Sequence, residues 1–322
     1  HSIRGTNDSY YYQVSDSPDG FNKSMKVTCN STYTPSGSDN AGFITSLEGQ
    51  DLQDFAFGTS SAKSITISFY AKSGSQNNGH QYSFQIRTHP SGGATNRIVT
   101  KAFTVTSSWQ RFTMTFPGDT SNDIKNSTDY TGFEFIFQLA TGPDDLVAEQ
   151  PTWTSTFTNW RGVTGNSNFM DNTNNEFYVT GCQLEVSPVA TPFEHRSYAD
   201  ELQRCRRYYH CVYRRGASSD GNISIGALGS LYTSNSVYID MTLPTQMRTT
   251  PTLETPSATN RYNHCPTSCI DFGNPSLLHG QKNAVTLNAT LQGSNTAGRV
   301  GNTFAKTANW TEGEKLAFTA EI

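Results

Sequence analysis

The sequence predicts an all-β protein of two sandwich domains, on three observations. Apolar and polar residues alternate at period two through most of the 322 residues. Clusters of Gly, Ser, Thr and Asn break that alternation at short intervals, as turns between strands do. Charged residues make up only 16% of the chain, and a single segment carries a helical period. The expected architecture is an N-terminal antiparallel sandwich over 1–192, a hinge with a short α-helix over 193–215, and a C-terminal β-sandwich over 216–322.

In the first domain, Ile65, Ile67, Phe69 and Ala71 fall on one strand face, with Thr66, Ser68 and Tyr70 on the other. Tyr82, Phe84 and Ile86 repeat the pattern against Gln81, Ser83, Gln85 and Arg87. Phe112, Met114 and Phe116, then Phe133, Phe135, Phe137 and Leu139, do so again. Side chains alternate across a strand, so each apolar set is expected to line an inner face while its neighbours meet water. The strand over 176–186 changes phase: Phe177 and Val179 precede Gly181, and Cys182, Leu184 and Val186 follow it in the opposite phase. A β-bulge at Gly181 is the economical reading.

Between these last two strands lies a long Thr-, Asn- and Gly-rich connection, 141–175, carrying Trp153, Phe157, Trp160 and Phe169. Connections of this length are often functional. Trp153 is a candidate for stacking on a sugar ring, with a buried lid over the sandwich as the alternative reading.

Pro188 and Pro192 then keep the backbone extended. Ser197 is placed to cap a helix of about 12 residues. Tyr198, Leu202, Cys205 and Tyr209 recur at i, i+4, i+7 and i+11, a narrow apolar stripe for an assembly contact or for the chain's own second domain. Beyond Gly216 alternation resumes at Val237, Ile239, Met241 and Leu243, at Val285, Leu287, Ala289 and Leu291, and at Leu316, Phe318, Ala320 and Ile322. The stretch from Tyr262 to His279 reads as an exposed loop.

A net charge of −4 offers no basic footprint for nucleic acid, and no apolar run reaches the roughly 20 residues of a membrane helix. Neither nucleic-acid binding nor membrane insertion is expected. The start, His1-Ser2-Ile3-Arg4, reads as that of a fragment or processed product of a longer chain. Six unevenly spaced cysteines are not a disulfide framework, and the Asn-x-Ser/Thr triplets at Asn30, Asn126, Asn222, Asn288 and Asn309 are expected by chance in this composition. No nucleophile elbow, zinc-protease, P-loop or dinucleotide motif occurs, so no enzyme activity and no cofactor are expected.

His264, Cys265 and Cys269 lack the spacing of a structural zinc site. A local disulfide or two unrelated thiols are the better readings, and no metal is expected. Asp119, Asn122 and Asp123, or Asp171, Asn172 and Asn174, offer oxygen ligands for calcium, although turns explain them better. Asp144, Asp145, Glu194 and Glu254 would be the carboxylates of a polysaccharide depolymerase, the enzymatic alternative.

The stretch GCQLEVSPVATPFEHRSYADELQRCRRYYH, from Gly181 to His210, carries a family likeness. With Gln183-Leu184-Glu185, Ala190-Thr191-Pro192-Phe193-Glu194 and Arg207-Tyr208-Tyr209, it resembles the hinge of tail-fibre and receptor-binding proteins of marine tailed phages, the cyanophage type. Leu243-Pro244, Thr250-Pro251-Thr252 and the ending from Phe318 to Ile322 resemble the tip domains of that family. The resemblance implies a carbohydrate-binding-module-like jelly roll, and it favours a core place for Trp160. It also implies a virion location, a homotrimer assembled at the Tyr198, Leu202, Cys205, Tyr209 stripe, other tail proteins as neighbours, and attachment to a host-surface glycan or protein. The stretch 253–282 matches no such pattern, and its Arg261, Tyr262, His264, Asp271 and Phe272 are, with Trp153, the receptor-binding candidates. A free-standing carbohydrate-binding module is the remaining alternative.

Overall fold

The alternating runs form strands, seen in a computed structural model that describes residues 9–125, 130–155, 162–214, 222–256, 262–306 and 314–320. The chain divides into two compact units, His1–Glu194 and His195–Glu321.

In the first unit the early strands are β1 (Ser9–Val14), β2 (Ser24–Cys29), β3 (Asn40–Glu48), β4 (Ile65–Ser73), β5 (Gln81–Thr88) and β6 (Arg97–Thr104). They are followed by β7 (Gln110–Phe116), β8 (Thr131–Thr141), β9 (Leu146–Val147), β10 (Gln150–Ser155), β11 (Gly162–Val163) and β12 (Glu176–Glu185). Two five-stranded antiparallel sheets result, in the orders β1-β2-β12-β4-β7 and β10-β6-β5-β8-β3. This is the jelly-roll-like sandwich. Its core is built from rings of both sheets: Phe137 of β8 meets Phe69 of β4 and Phe84 of β5 edge-on, each at 5.0 Å. Such edge-to-face pairs add about 0.5–1.5 kcal/mol each beyond the area they bury.

Both outer faces are less open than alternation implies. On the second sheet, Ser83, Gln85, Thr100 and Gln138 are fully buried rather than wet. The short parallel ribbon β9/β11 and the turn after it cover them. Val163 N donates to Ser83 Oγ at 2.7 Å, and Ser83 Oγ donates to Asn166 Oδ1 at 2.7 Å. On the first sheet, the passage after β12 folds back across one end, where Thr66 Oγ1 donates to Ser187 O at 2.7 Å and Arg111 bonds Thr191 O.

The phase change in β12 is a bulge. Its register against β4 shifts between Thr180 and Gln183, and Gly181 takes φ 60°. The same glycine admits Phe21, whose ring packs on Tyr70 at 5.3 Å and on Phe193 at 5.0 Å.

The second unit opens with α1 (Tyr198–Arg206), capped by Ser197 Oγ, which accepts from Asp200 N at 3.2 Å. The strands β13 (Tyr209–Arg214), β14 (Asn222–Thr233), β15 (Ser236–Thr242), β16 (Thr252–Glu254) and β17 (Tyr262–Cys265) follow. The last are β18 (Ile270–Phe272), β19 (Ser276–Gly280), β20 (Ala284–Thr290), β21 (Val300–Lys306) and β22 (Lys315–Thr319). They make a three-stranded sheet, β13-β22-β16, and a seven-stranded one, β18-β17-β21-β14-β15-β20-β19. One apolar cluster joins Leu316 and Phe318 of the first to Val237, Ile239 and Leu287 of the second. The helix and β13, expected in a hinge, belong to this unit. No helix among the described residues is long and apolar enough to cross a membrane.

A side chain at Gly181 would meet two penalties. A Cβ there would lie 2.6 Å from Phe21 Cζ, and the backbone is left-handed. Gly181→Ala is therefore expected to cost at least about 1–2 kcal/mol. Denaturant titration should show a lower midpoint with an unchanged slope. An unchanged midpoint would mean that the bulge is not constrained.

Candidate functional site

The open part of the first sheet carries one row of side chains that crosses the strands. Tyr12 of β1 stands opposite Lys26 of β2, Lys26 opposite Tyr178 of β12, and Tyr178 opposite Lys72 of β4. Trp109, at the mouth of β7, completes it. Residues opposite one another share a face, so the row alternates ring and ammonium across five strands, about 19 Å at the usual strand spacing.

The row is held by charge. Lys72 Nζ lies 4.7 Å from the Tyr178 ring centroid and 5.6 Å from that of Trp109; Lys26 Nζ lies 5.4 Å from Tyr178. Each is within cation–π reach. Each ammonium also pairs with a carboxylate, Lys26 with Glu176 and Lys72 with Asp16, both at 2.5 Å. The Trp109 indole N–H donates to Asp16 Oδ1 at 3.0 Å, and Tyr178 donates its hydroxyl to Glu176 Oε2 at 2.7 Å. The row thus presents two open rings, Tyr12 and Trp109, with Tyr178 covered by the two lysines and only 7% exposed, and its ammonium groups and carboxylates leave no large net charge. Tyr12 and its neighbour Tyr10 are 48% and 50% exposed, Trp109 is half-buried, and a groove of about 500 Å³ shares Tyr12 with Lys23, Ser24 and Thr180.

Ionisation follows from these contacts. The hydrogen bond from Lys72 holds the Asp16 carboxyl below its ordinary value. Burial alone would raise Glu176, but hydrogen bonds from Lys26 and Tyr178 bring it lower. Burial, then the Glu176 carboxylate, raises Tyr178.

The residues singled out from sequence lie elsewhere. Trp153 is 8% exposed: its ring packs edge-on against Phe57 at 5.3 Å, and its N–H donates to Pro117 O at 2.6 Å. It is part of the core and not a sugar platform: it is the one buried residue of β10, on a strand whose register shifts between Gln150 and Thr154. Tyr262 and Phe272 are also corrected. They stack on each other at 5.3 Å, fully buried, on the inner face of the seven-stranded sheet. His264 shares that face and is fully buried, and burial lowers its pKa. Only Asp271 is partly open, ion-paired with Lys306 at 2.6 Å. The expected loop is strand at β17, β18 and β19, too short for alternation to be read. Arg261 and Trp160 lie outside the described residues.

The assembly stripe is broken. The helix ends at Arg206, so Tyr209 belongs to β13. No helix residue is buried within the chain, so the stripe is not covered by the chain's own second domain: Tyr198 is 81% exposed, Cys205 exposed and Leu202 half-buried.

Cys265 and Cys269 form a disulfide. Among the described residues no three His, Cys, Asp or Glu side chains come together as a metal cluster. Of the calcium candidates, Asp119 pairs with Arg97 at 2.6 Å and Asp171 accepts from Asn175 at 2.7 Å. Of the depolymerase carboxylates, Asp145 is buried, Asp144 and Glu194 are exposed, and Glu254 pairs with Lys315 at 2.9 Å in the other unit.

No protein-family profile matches the chain, and no curated protein matches it. Among solved structures it is similar to the CBM22-1 xylan-binding domain of Paenibacillus barcinonensis Xyn10C, at 11% identity and TM-score 0.31, over 59% of this chain and 86% of that one. It is also similar to the family 11 carbohydrate-binding module of Clostridium thermocellum Lic26A-Cel5E, at 17% identity and TM-score 0.29, over 60% and 94%. The tandem CBM22-1–CBM22-2 domain of Xyn10C is matched over 99% of this chain and 90% of that one, at 8% identity and TM-score 0.31. At these TM-scores the likenesses carry no argument about ligand or role.

The depressed carboxyls make the row acid-sensitive. Their contribution is complete above the ordinary values, 3.8 for Asp16 and 4.5 for Glu176, and is lost as pH falls through the lower folded values. Asp16→Asn and Glu176→Gln should therefore melt below wild type at about pH 6, and the gap should close as pH falls below the ordinary values of 3.8 and 4.5. A gap that persists to the lower pH would show that these charges do not anchor the row.

Proposed function

We propose that the chain is a non-catalytic glycan-binding protein acting as the distal part of a tailed-phage attachment fibre, assembled as a homotrimer on the virion. The observation that carries glycan binding is the ring-and-ammonium row Tyr12, Lys26, Tyr178, Lys72 and Trp109, in which Tyr12 and Trp109 are the rings open to a sugar and Tyr178 supports the two lysines from below. A pyranose offers an apolar C–H face to a ring and hydroxyls to the charged groups beside it. A row crossing five strands suits an extended polysaccharide segment.

The fibre assignment rests on the hinge resemblance, and the exposed Tyr198 and Cys205 with half-buried Leu202 on α1 accord with an uncovered assembly face. A trimer would triple any weak site and hold a particle to a cell through effective concentration.

Affinity electrophoresis of the full chain through gels containing neutral surface polysaccharides should show retardation. Tyr12→Ala, at an exposed position, should weaken it by about tenfold without altering the melting temperature. Retardation that survives both Tyr12→Ala and Trp109→Ala would remove the row from the reading. Sedimentation should give three copies of the 35.4 kDa chain, and Leu202→Asp should reduce that to one while leaving the fold intact. A monomeric wild type would replace the fibre by a free-standing carbohydrate-binding module.

A further inference from the structure

Inside the second unit one ionisable side chain is sealed away from every partner. His264 of β17 and Thr303 of β21 stand opposite one another in register, and both are fully buried. Among the described residues, neither ring nitrogen of His264 nor the Thr303 hydroxyl has a hydrogen-bond partner. Both side chains crowd Gly229 of β14. A Cβ on that glycine would lie 3.0 Å from His264 Nδ1, 3.0 Å from Thr303 Oγ1 and 2.8 Å from Val237 Cγ2. An imidazole packed this way is tolerable while neutral, but an imidazolium there would be a buried charge with no acceptor.

No anion is at hand to receive it. The core on this face is apolar, with Ile270 of β18, Ala305 of β21, Val237 and Ile239 of β15, and Leu316 and Phe318 of β22. Its titratable members among the described residues are the phenols Tyr213 and Tyr262, which are neutral in this pH range. The buried Arg248 donates to Ala320 O at 2.9 Å and would repel a second cation. Strand alternation puts the remaining charges on outer faces: Asp271 pairs with Lys306 at 2.6 Å, Lys315 with Glu254 at 2.9 Å, and Asp240 accepts from Thr286 at 2.6 Å.

The position of His264 in the sheet gives that charge a way out. β17 and β18 form a hairpin at one edge of the seven-stranded sheet, and the Cys265–Cys269 disulfide closes its turn. Four register pairs join β17 to β21, and the His264–Thr303 pair is one of them. The disulfide keeps the hairpin whole, so the seam that His264 can loosen is the one with β21.

We infer that the β17–β18 hairpin is an acid-released edge of the second unit: proton uptake by His264 drives it off β21 and brings the imidazolium and the Tyr262–Phe272 stack to water. Burial holds His264 below its ordinary value of 6.5, whereas the released form recovers that value. The closed form is therefore fully favoured above 6.5 and loses ground as pH falls through it, up to about tenfold per pH unit until the folded value is reached. This window lies above the one in which Asp16 and Glu176 act.

The test is amide hydrogen exchange on the full chain between about pH 7.5 and pH 5, each rate taken relative to the intrinsic rate at that pH. Protection over Tyr262 to Phe272 should fall several-fold across the window, while that of β4 and β5 in the first unit stays level. His264→Gln, which takes no proton, should make the hairpin's profile level too. His210, also lowered by burial and then by Arg206, is the control, and His210→Gln should leave the fall in place. Should His264→Gln fail to fold, the wild-type imidazole resonances decide: that of His264 should stay neutral to lower pH than those of the exposed His195 and His279. The inference is overturned if hairpin protection is level in the wild type, if His264→Gln keeps the fall, if His210→Gln abolishes it, or if His264 titrates together with His195 and His279.

Discussion

The first unit depends on one residue held left-handed in the middle of a strand. β12 is the central strand of its sheet, paired to β2 on one side and β4 on the other, and Gly181 turns it half-way. Before the bulge, Phe177 and Val179 are buried in the shared core, while Tyr178 lies on the opposite face beneath Lys26 and Lys72. After it, the strand resumes against β4 one residue out of step, with Leu184 packed against the core. The bulge also makes room for Phe21, which closes over Tyr70 and meets Phe193. The outward row and the covered end of the same sheet are thus both consequences of one backbone angle.

The covering of the two outer faces separates interior from candidate binding surface. On the second sheet, Gln138 is fully buried, and its amide nitrogen and oxygen have no partner among the described residues. An orphaned buried polar group costs about 1–3 kcal/mol. On the first sheet, every charged member of the row has an opposite charge within hydrogen-bond distance, so rings and ions coexist on an open face at little cost.

Strand existence was legible wherever alternation ran long enough. Ile65 to Ala71, Tyr82 to Ile86 and Phe133 to Leu139 are strands with the expected inward faces, and the phase break at Gly181 announced its own bulge. Burial of the opposite faces was not legible, because Ser83 and Gln85 look as wet as any polar residues until a ribbon 80 residues further along settles on Ser83. Short strands defeated the same reasoning. Tyr262 and Phe272 lie on strands of four and three residues, where a buried pair and an exposed aromatic loop give identical patterns. The candidate row was invisible for another reason. Tyr12, Lys26, Lys72, Trp109 and Tyr178 are scattered along the chain, and only strand order and register bring them into line.

The strand order of the first sheet also fixes how that unit would respond to pulling. β1 and β12 run in the same direction on either side of β2, so Ser9 and Glu185 emerge at opposite ends of the sheet. Tension between those two points slides the strands past one another along their length. The ladder bonds on both flanks of β2 are then strained together, in shear, instead of parting one at a time as in a zipper. A sandwich loaded this way resists sudden force better than its equilibrium stability alone would imply.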